Sequence, residues 1–250
     1  MKQGMRAMAG AVALAGLLAT AGPALAKDRV IAVDGVSKSY ADRRVEILVH
    51  VPDGQDANAA AERALAGQGA KKAPPEQPQS NSYSFTGLFW DTHRVTQNYN
   101  AAGSPPIDAE SALQNTYPDW STVSGADYQI SYGSDTGRCP SLVRECPGAQ
   151  KNDQNNDVGW ARLANGTLGV TWSTSGTDEA DMAINTRYTW VTGCSDAPGA
   201  FDLQSVYLHE NGHVAGLGHS TDTNAVMYPS YQAARCDLAQ DDENGLAALY

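Results

Sequence analysis

Long apolar runs are almost missing from this 250-residue chain. The one candidate, Met8 to Ala21, is broken by small residues and falls short of the ~20 apolar residues that a bilayer span requires. Lys2 and Arg6 flank its start, and Ala24-Leu25-Ala26 then forms an A-x-A cleavage site. Residues 1–26 therefore read as an export signal removed from the mature protein rather than as a membrane anchor. No later stretch is apolar enough to cross a bilayer. Positive charge is scarce as well, with 17 Lys and Arg against 28 Asp and Glu. Removing the signal leaves 15 basic and 28 acidic side chains, a formal charge of −13. So acidic a chain repels phosphate backbones, which excludes nucleic acid as a partner. A G-x-S-x-G nucleophile elbow is absent, which weakens a serine-hydrolase reading. No internal repeat is found.

Only four cysteines are present: Cys139, Cys146, Cys194 and Cys236. None forms a C-x-x-C, which argues against a cysteine-rich metal site. An even count in an exported protein points to two disulfides, and the sequence permits three pairings. Cys139–Cys146 with Cys194–Cys236 is preferred. The first pair closes a short Pro-containing loop, and the second brackets a cluster of histidines between residues 209 and 219.

The segment 27–66 differs in character from the rest of the chain. Val30 to Val33 and Val45 to Val51 are rich in β-branched residues, and Asp56 to Ala66 is Ala-rich and helical, with Asp53 or Asp56 as N-cap and Gly67 as its stop. Residues 67–82, GQGAKKAPPEQPQSNS, read as a linker. A small pro-segment or accessory piece over 27–66 is expected, then a cleavable joint, then one α+β domain over 83–250. Within it, strands are expected at Arg94 to Asn100, Tyr128 to Tyr132, Val158 to Leu163, Leu168 to Trp172 and Met182 to Thr192. The third and fourth would be joined as a hairpin around Asn165-Gly166. Helices are expected from Asp108 toward Trp120 and from Phe201 to Gly216.

The decisive segment is His209-Glu210-Asn211-Gly212-His213-Val214-Ala215-Gly216-Leu217-Gly218-His219. Histidine is otherwise rare, with five in the chain and three of them here. Residues four apart share a helix face, so His209 and His213 can present their rings to one ion. Gly216 can take positive φ, end the helix and let the chain return His219 as a third ligand. Zinc accepts three imidazoles and keeps a position for water, from which Glu210 can take a proton. By average residue usage the whole pattern arises by chance in roughly one chain in 10⁵, so coincidence is set aside. A zinc-holding protein without catalysis is the bland alternative, but a structural site has no use for a base beside the metal.

This motif resembles that of the metzincin metallopeptidases, and its surroundings resemble the matrixin branch. Ser220 comes directly after the third histidine, as in matrixins. Ala225-Val226-Met227-Tyr228-Pro229-Ser230-Tyr231 is similar to the matrixin Met-turn, and the tail from Leu238 to Tyr250 to the final matrixin helix. Asn156 to Trp160 and Glu179 to Asn185 resemble strand segments of bacterial matrixin-like proteins. The resemblance covers about residues 83–250 and is strong after Asp202. It implies a zincin fold: a twisted mixed five-stranded sheet, two long helices, and a small C-terminal subdomain with the Met-turn and a final helix. It assigns zinc to His209, His213 and His219, the general base to Glu210, and a hydrophobic floor beneath the histidines to Met227. It further implies that Pro229, Ser230 and Tyr231 form a wall of the pocket for the side chain after the scissile bond. Leu168, Gly169, Val170 and Thr171 would be the edge strand on which an extended peptide adds.

Two departures stand out. No cysteine precedes Cys139, so a latency device built on a pro-segment cysteine is missing. If residues 27–82 inhibit, they use another group, such as a carboxylate from Asp53 or Asp56, or steric cover. No histidine lies between His93 and His209, so a second, structural zinc held by histidines is not expected. The run Asn152 to Asp157 is rich in oxygen ligands but lacks EF-hand spacing, and both Ca²⁺ and an ordinary Asn/Asp turn account for it. Motif, signal and charge together predict a secreted zinc endopeptidase, extracellular or periplasmic, monomeric and acting on protein or peptide substrates. The alternative is a secreted zinc-stabilised binding or adhesion module without turnover.

Overall fold

Among the described residues, eight strands build one sheet and two short strands form a separate parallel pair. The structure, a computed structural model, describes residues 29–37, 43–51, 56–67, 70–72, 82–140, 153–174 and 179–250. The expected signal, Cys146, Asn152 and most of the expected linker lie outside these residues. The N-terminal elements are β1 (Arg29–Ser37), β2 (Arg43–Val51), α1 (Ala57–Gly67) and β3 (Ala70–Lys72). Asp56 caps α1, its Oδ1 accepting from the N–H groups of Asn58 and Ala59. From residue 83 onward come β4 (Arg94–Tyr99), α2 (Ala109–Gln114), α3 (Tyr117–Ser121), β5 (Gln129–Asp135) and β6 (Asn156–Ala161). β7 (Thr167–Thr174), β8 (Glu179–Asn185), β9 (Trp190–Val191), β10 (Phe201–Asp202), α4 (Leu203–Ala215) and α5 (Gln240–Leu249) complete the described elements, and the sheet runs in the order β3-β1-β2-β7-β8-β6-β4-β5.

Five of these strands, β7-β8-β6-β4-β5, form the mixed sheet expected of the zincin fold. β6 pairs in parallel with β8 and β4, β4 with β5, and only β7 runs antiparallel, against β8. β6 and β8 are buried along their whole length, as central strands covered on both faces must be. The expected β6–β7 hairpin does not form. Gly166 does turn with φ +90°, but β8 inserts between the two strands and pairs with both. A turn signal specifies a reversal, not which strand becomes the neighbour.

The helix expected toward Trp120 occurs in two pieces. Pro118 has no N–H to continue the ladder, and the Thr116 hydroxyl bonds back to Leu113 O at 2.7 Å. The break lets Tyr117 and Trp120 turn inward, and Trp120 is fully buried. Its indole N–H donates to Leu208 O at 3.0 Å, tying this corner to α4. No helix among the described residues is long and apolar enough to cross a membrane.

The same corner makes stability depend on pH. Burial, with Asp237 nearby, pushes the Asp119 carboxyl up to about 6. Its folded value thus lies above the ~3.9 of an unfolded aspartate, so the folded state holds the proton more tightly. Stability from this group is complete below about pH 4 and is lost as pH rises through about 6. Asp119→Asn should therefore raise the melting temperature at pH 7 and leave it unchanged at pH 3.5, measured by calorimetry at the two pH values.

Candidate active site

α4 is buried on nearly every side, so each polar residue in it needs a partner. Asp202 starts it, its Oδ1 accepting from Ser205 N at 2.7 Å. Gly216 ends it in the left-handed region at φ 102°, where a Cβ would also overlap Leu88 O. The reversed chain is then gripped by residues 82–86, with Thr86 N to Gly216 O at 2.9 Å, Gly218 N to Ser84 O at 2.8 Å and Thr221 N to Ser82 O at 2.9 Å. The Ser84 hydroxyl donates to His219 O at 2.7 Å, fixing the backbone of the third histidine.

His209, His213 and His219 converge, with one ring nitrogen from each lying within 4.8 Å of the others. His209 Nδ1 lies 2.7 Å from Val226 O and His213 Nδ1 lies 2.8 Å from Leu217 O. A carbonyl only accepts, so both Nδ1 atoms carry the proton and both Nε2 atoms present lone pairs. Those two Nε2 atoms are 3.0 Å apart. Neither neutral ring can donate to the other, and a metal cation between the two lone pairs fits so close an approach. Three converging imidazoles, two of them with their outer N–H groups fixed by carbonyls, match the donor set of a catalytic zinc site. The residues fit the ion.

The carbonyl that fixes His209 belongs to the expected Met-turn. The Asp242 carboxylate, from the first turn of α5, holds that turn by accepting from Val226 N at 2.8 Å, Met227 N at 3.0 Å and Ala239 N at 2.9 Å. Burial pushes the Asp242 carboxyl up, and the three N–H donors pull against that. Met227 packs beneath the histidine helix so closely that a Cβ at Gly212 would overlap its sulfur and sit 2.9 Å from Trp120 Cζ2. Ser220 joins both loops, its N–H donating to Met227 O at 2.9 Å and its hydroxyl to Asp241 at 2.5 Å.

Glu210 is fully buried against β7. The Thr171 hydroxyl donates to its Oε2, and a Cβ at Gly169 would stand 2.9 Å from its Oε1. Gly169 and Thr171 thus face the carboxylate, while Leu168 and Val170 are fully buried apolar residues. Next to the histidines a depression is lined by Val206, His209, Val226, Tyr228, Ser230 and Tyr231. Pro229 belongs to the same turn but is not among the lining residues. Arg235 closes the depression, its guanidinium donating to Ala225 O at 2.6 Å and Thr223 O at 2.5 Å. Cys194 and Cys236 are bonded, the pairing preferred from the sequence. Cys139 is also disulfide-bonded, and its expected partner Cys146 lies outside the described residues.

The Asn/Asp-rich residues that lead into and begin β6 serve the protein's own donors. Asp157 pairs with Arg138 through two 2.9 Å bonds, Asn156 Oδ1 accepts from Ala180 N, and Asp153 Oδ1 accepts from Asn155 N. Sequence reasoning named Thr171 only as part of a peptide-binding strand and missed its bond to Glu210, and it gave no role to Asp242 or Asn211. Asn211 lies inside the motif, accepts from Gln97 at 3.0 Å and donates to Thr116 at 2.8 Å, locking α4 to the sheet and to the α2–α3 corner. A buried amide and an Asp-Asp pair at a helix start were the available signals.

Residues 144–250 match the family model described as Matrixin. Metalloendoproteinase 1 of Glycine max is 29% identical over 169 residues, covering 64% of this chain and 52% of the relative. Matrix metalloproteinase-25 of Mus musculus is 29% identical over 178 residues, 67% of this chain and 28% of the relative. Interstitial collagenase of Equus caballus is 28% identical over 161 residues, 64% and 31% respectively. The chain thus spans about half the length, or less, of these relatives.

Asp242→Ala should strip three buried N–H groups of their acceptor and lower stability by at least ~2 kcal/mol in a urea titration. It should also weaken zinc binding on the order of tenfold or more, because the His209 support moves with the Met-turn.

Proposed function

We propose that this chain, a matrixin-like metzincin, is a monomeric, exported endopeptidase that hydrolyses peptide bonds in protein substrates with one zinc ion. The observation that carries the reading is the buried Glu210 carboxylate next to three converging imidazoles, two of them with tautomers already set. A purely structural metal site gains nothing from burying an acid there, since taking a carboxylate out of water is costly.

His209, His213 and His219 would hold the ion through the ring nitrogens that face one another. When bound, zinc supplies Lewis acidity, polarising a carbonyl and making water more acidic near neutral pH. The protein's own residues do the rest. The Glu210 carboxylate takes the proton from the attacking water and returns it to the nitrogen of the leaving amine. The Thr171 hydroxyl keeps one carboxylate oxygen oriented, and Gly169 leaves room for the other. No covalent acyl-enzyme is needed. The depression beside His209, walled by Tyr228 and Tyr231, takes the side chain on the far side of the scissile bond. Tyr231 is rigidly placed there, its hydroxyl accepting from Asp202 N at 2.9 Å. Residues 1–26 direct export and are removed.

Casein or a quenched peptide library should be cleaved, a chelator should abolish cleavage, and zinc should restore it. Glu210→Ala should keep its zinc, checked by metal analysis, and lose about 10²-fold to 10⁴-fold in kcat. Undiminished turnover in that variant would sink the mechanism. Tight zinc with no turnover on any peptide would replace it with a binding module.

A further inference from the structure

The outer edge of β7 is covered by the chain itself. β2 pairs with it antiparallel, Arg43 opposite Thr174, Glu46 opposite Thr171, Ile47 opposite Val170, and Val49 opposite Thr167 across a bulge. Thr171 and Gly169 are the residues that touch the Glu210 carboxylate. The backbone of residues 46–49 therefore runs one strand spacing, about 4.8 Å, beyond the strand against which the proposed base is packed. An extended peptide entering by strand addition would need those same N–H and C=O groups of β7. β2 is itself held from behind by β1 over eight residue pairs, and β3 extends the sheet further.

We propose that residues 43–51 are an internal, substrate-like strand that occupies the peptide-binding edge of β7 and keeps the enzyme latent. This inference rests on the peptidase reading above and adds the regulation of the same edge. The mode is occupation by backbone pairing. It requires no cysteine, and none precedes Cys139. Nor does it use the Asp56 carboxylate as a metal ligand, because that group caps α1. Being tethered, the strand competes at an effective concentration in the millimolar range, which an ordinary peptide substrate does not match. Because β2 belongs to the N-terminal elements that precede residues 67–82, cutting the chain in that stretch turns the tethered strand into a separable one. Latency then ends by dilution or by digestion of the freed piece.

Two variants of the full-length zinc-loaded chain test this. Glu46→Pro with Ile47→Pro removes one N–H from each side of β2. Arg43→Cys with Thr174→Cys places a cross-link at a directly opposed pair. Turnover of a short quenched peptide should rise on the order of tenfold or more in the proline variant. In the cross-linked variant it should fall at least as far below the parent, and return on mild reduction that leaves the parent unchanged. Amide hydrogen exchange over residues 167–174 should be slow in the parent and faster in the proline variant. Equal turnover in parent, cross-linked and reduced forms overturns the proposal, even where the proline variant fails to fold. Exchange over 167–174 that a folded proline variant leaves unchanged overturns it as well. Absence of turnover in every form, with zinc bound, instead removes the peptidase reading, and exchange still decides the strand pairing.

Discussion

Three imidazoles must be brought nitrogen to nitrogen inside a protein interior, and two backbone carbonyls make that arrangement possible. Val226 O and Leu217 O fix the protons of His209 and His213 on the outer ring nitrogens, so the inner ones offer lone pairs to a common point. Much of the C-terminal half supports those two carbonyls. Gly216 turns the chain so that Leu217 O comes back to its own helix. Asp242 holds the Met-turn from which Val226 O projects, and Gly212 lets Met227 approach closely enough to carry that turn. Trp120 then fixes the helix to α3, and Asn211 with Gln97 fixes it to the sheet. The protein's own hydrogen bonds thus orient two of the three donors.

A buried acid next to such a triad is expensive unless its geometry is controlled from the sheet. Here β7 supplies the control: a hydroxyl from Thr171 and the missing side chain of Gly169 define where the Glu210 carboxylate sits. The same strand would otherwise present an open edge, a surface that proteins usually cover or blunt. Covering it with β2 resolves the edge and, if that strand is the latency device, the timing of activity too.

The histidine motif was legible because its chemistry dictates its spacing: four residues for one helix face, a glycine to turn, a third ligand beyond it. The five strands from β4 to β8 were legible from β-branched and alternating residues, and Asp56 and Gly67 marked the ends of α1. What escaped were relations between segments distant in sequence. The Asn165-Gly166 turn is real, but nothing local says that β8 will lie between β6 and β7. Pro118 splits a helix whose apolar spacing reads as continuous. Asp242 looks like an ordinary acid in a helix's first turn until the Met-turn folds over it. Leu168 to Thr171 was readable as a strand along the substrate edge, whereas its occupation by residues 43–49 is a tertiary fact, set by a register that neither segment encodes alone.

A zinc site held by His209, His213 and His219 is tested most directly by X-ray absorption at the zinc edge on the loaded protein. One zinc per chain is expected, with three imidazole nitrogens at about 2.0–2.1 Å and an oxygen donor completing the shell. Sub-stoichiometric zinc, or a shell containing sulfur or fewer than three imidazoles, would contradict it.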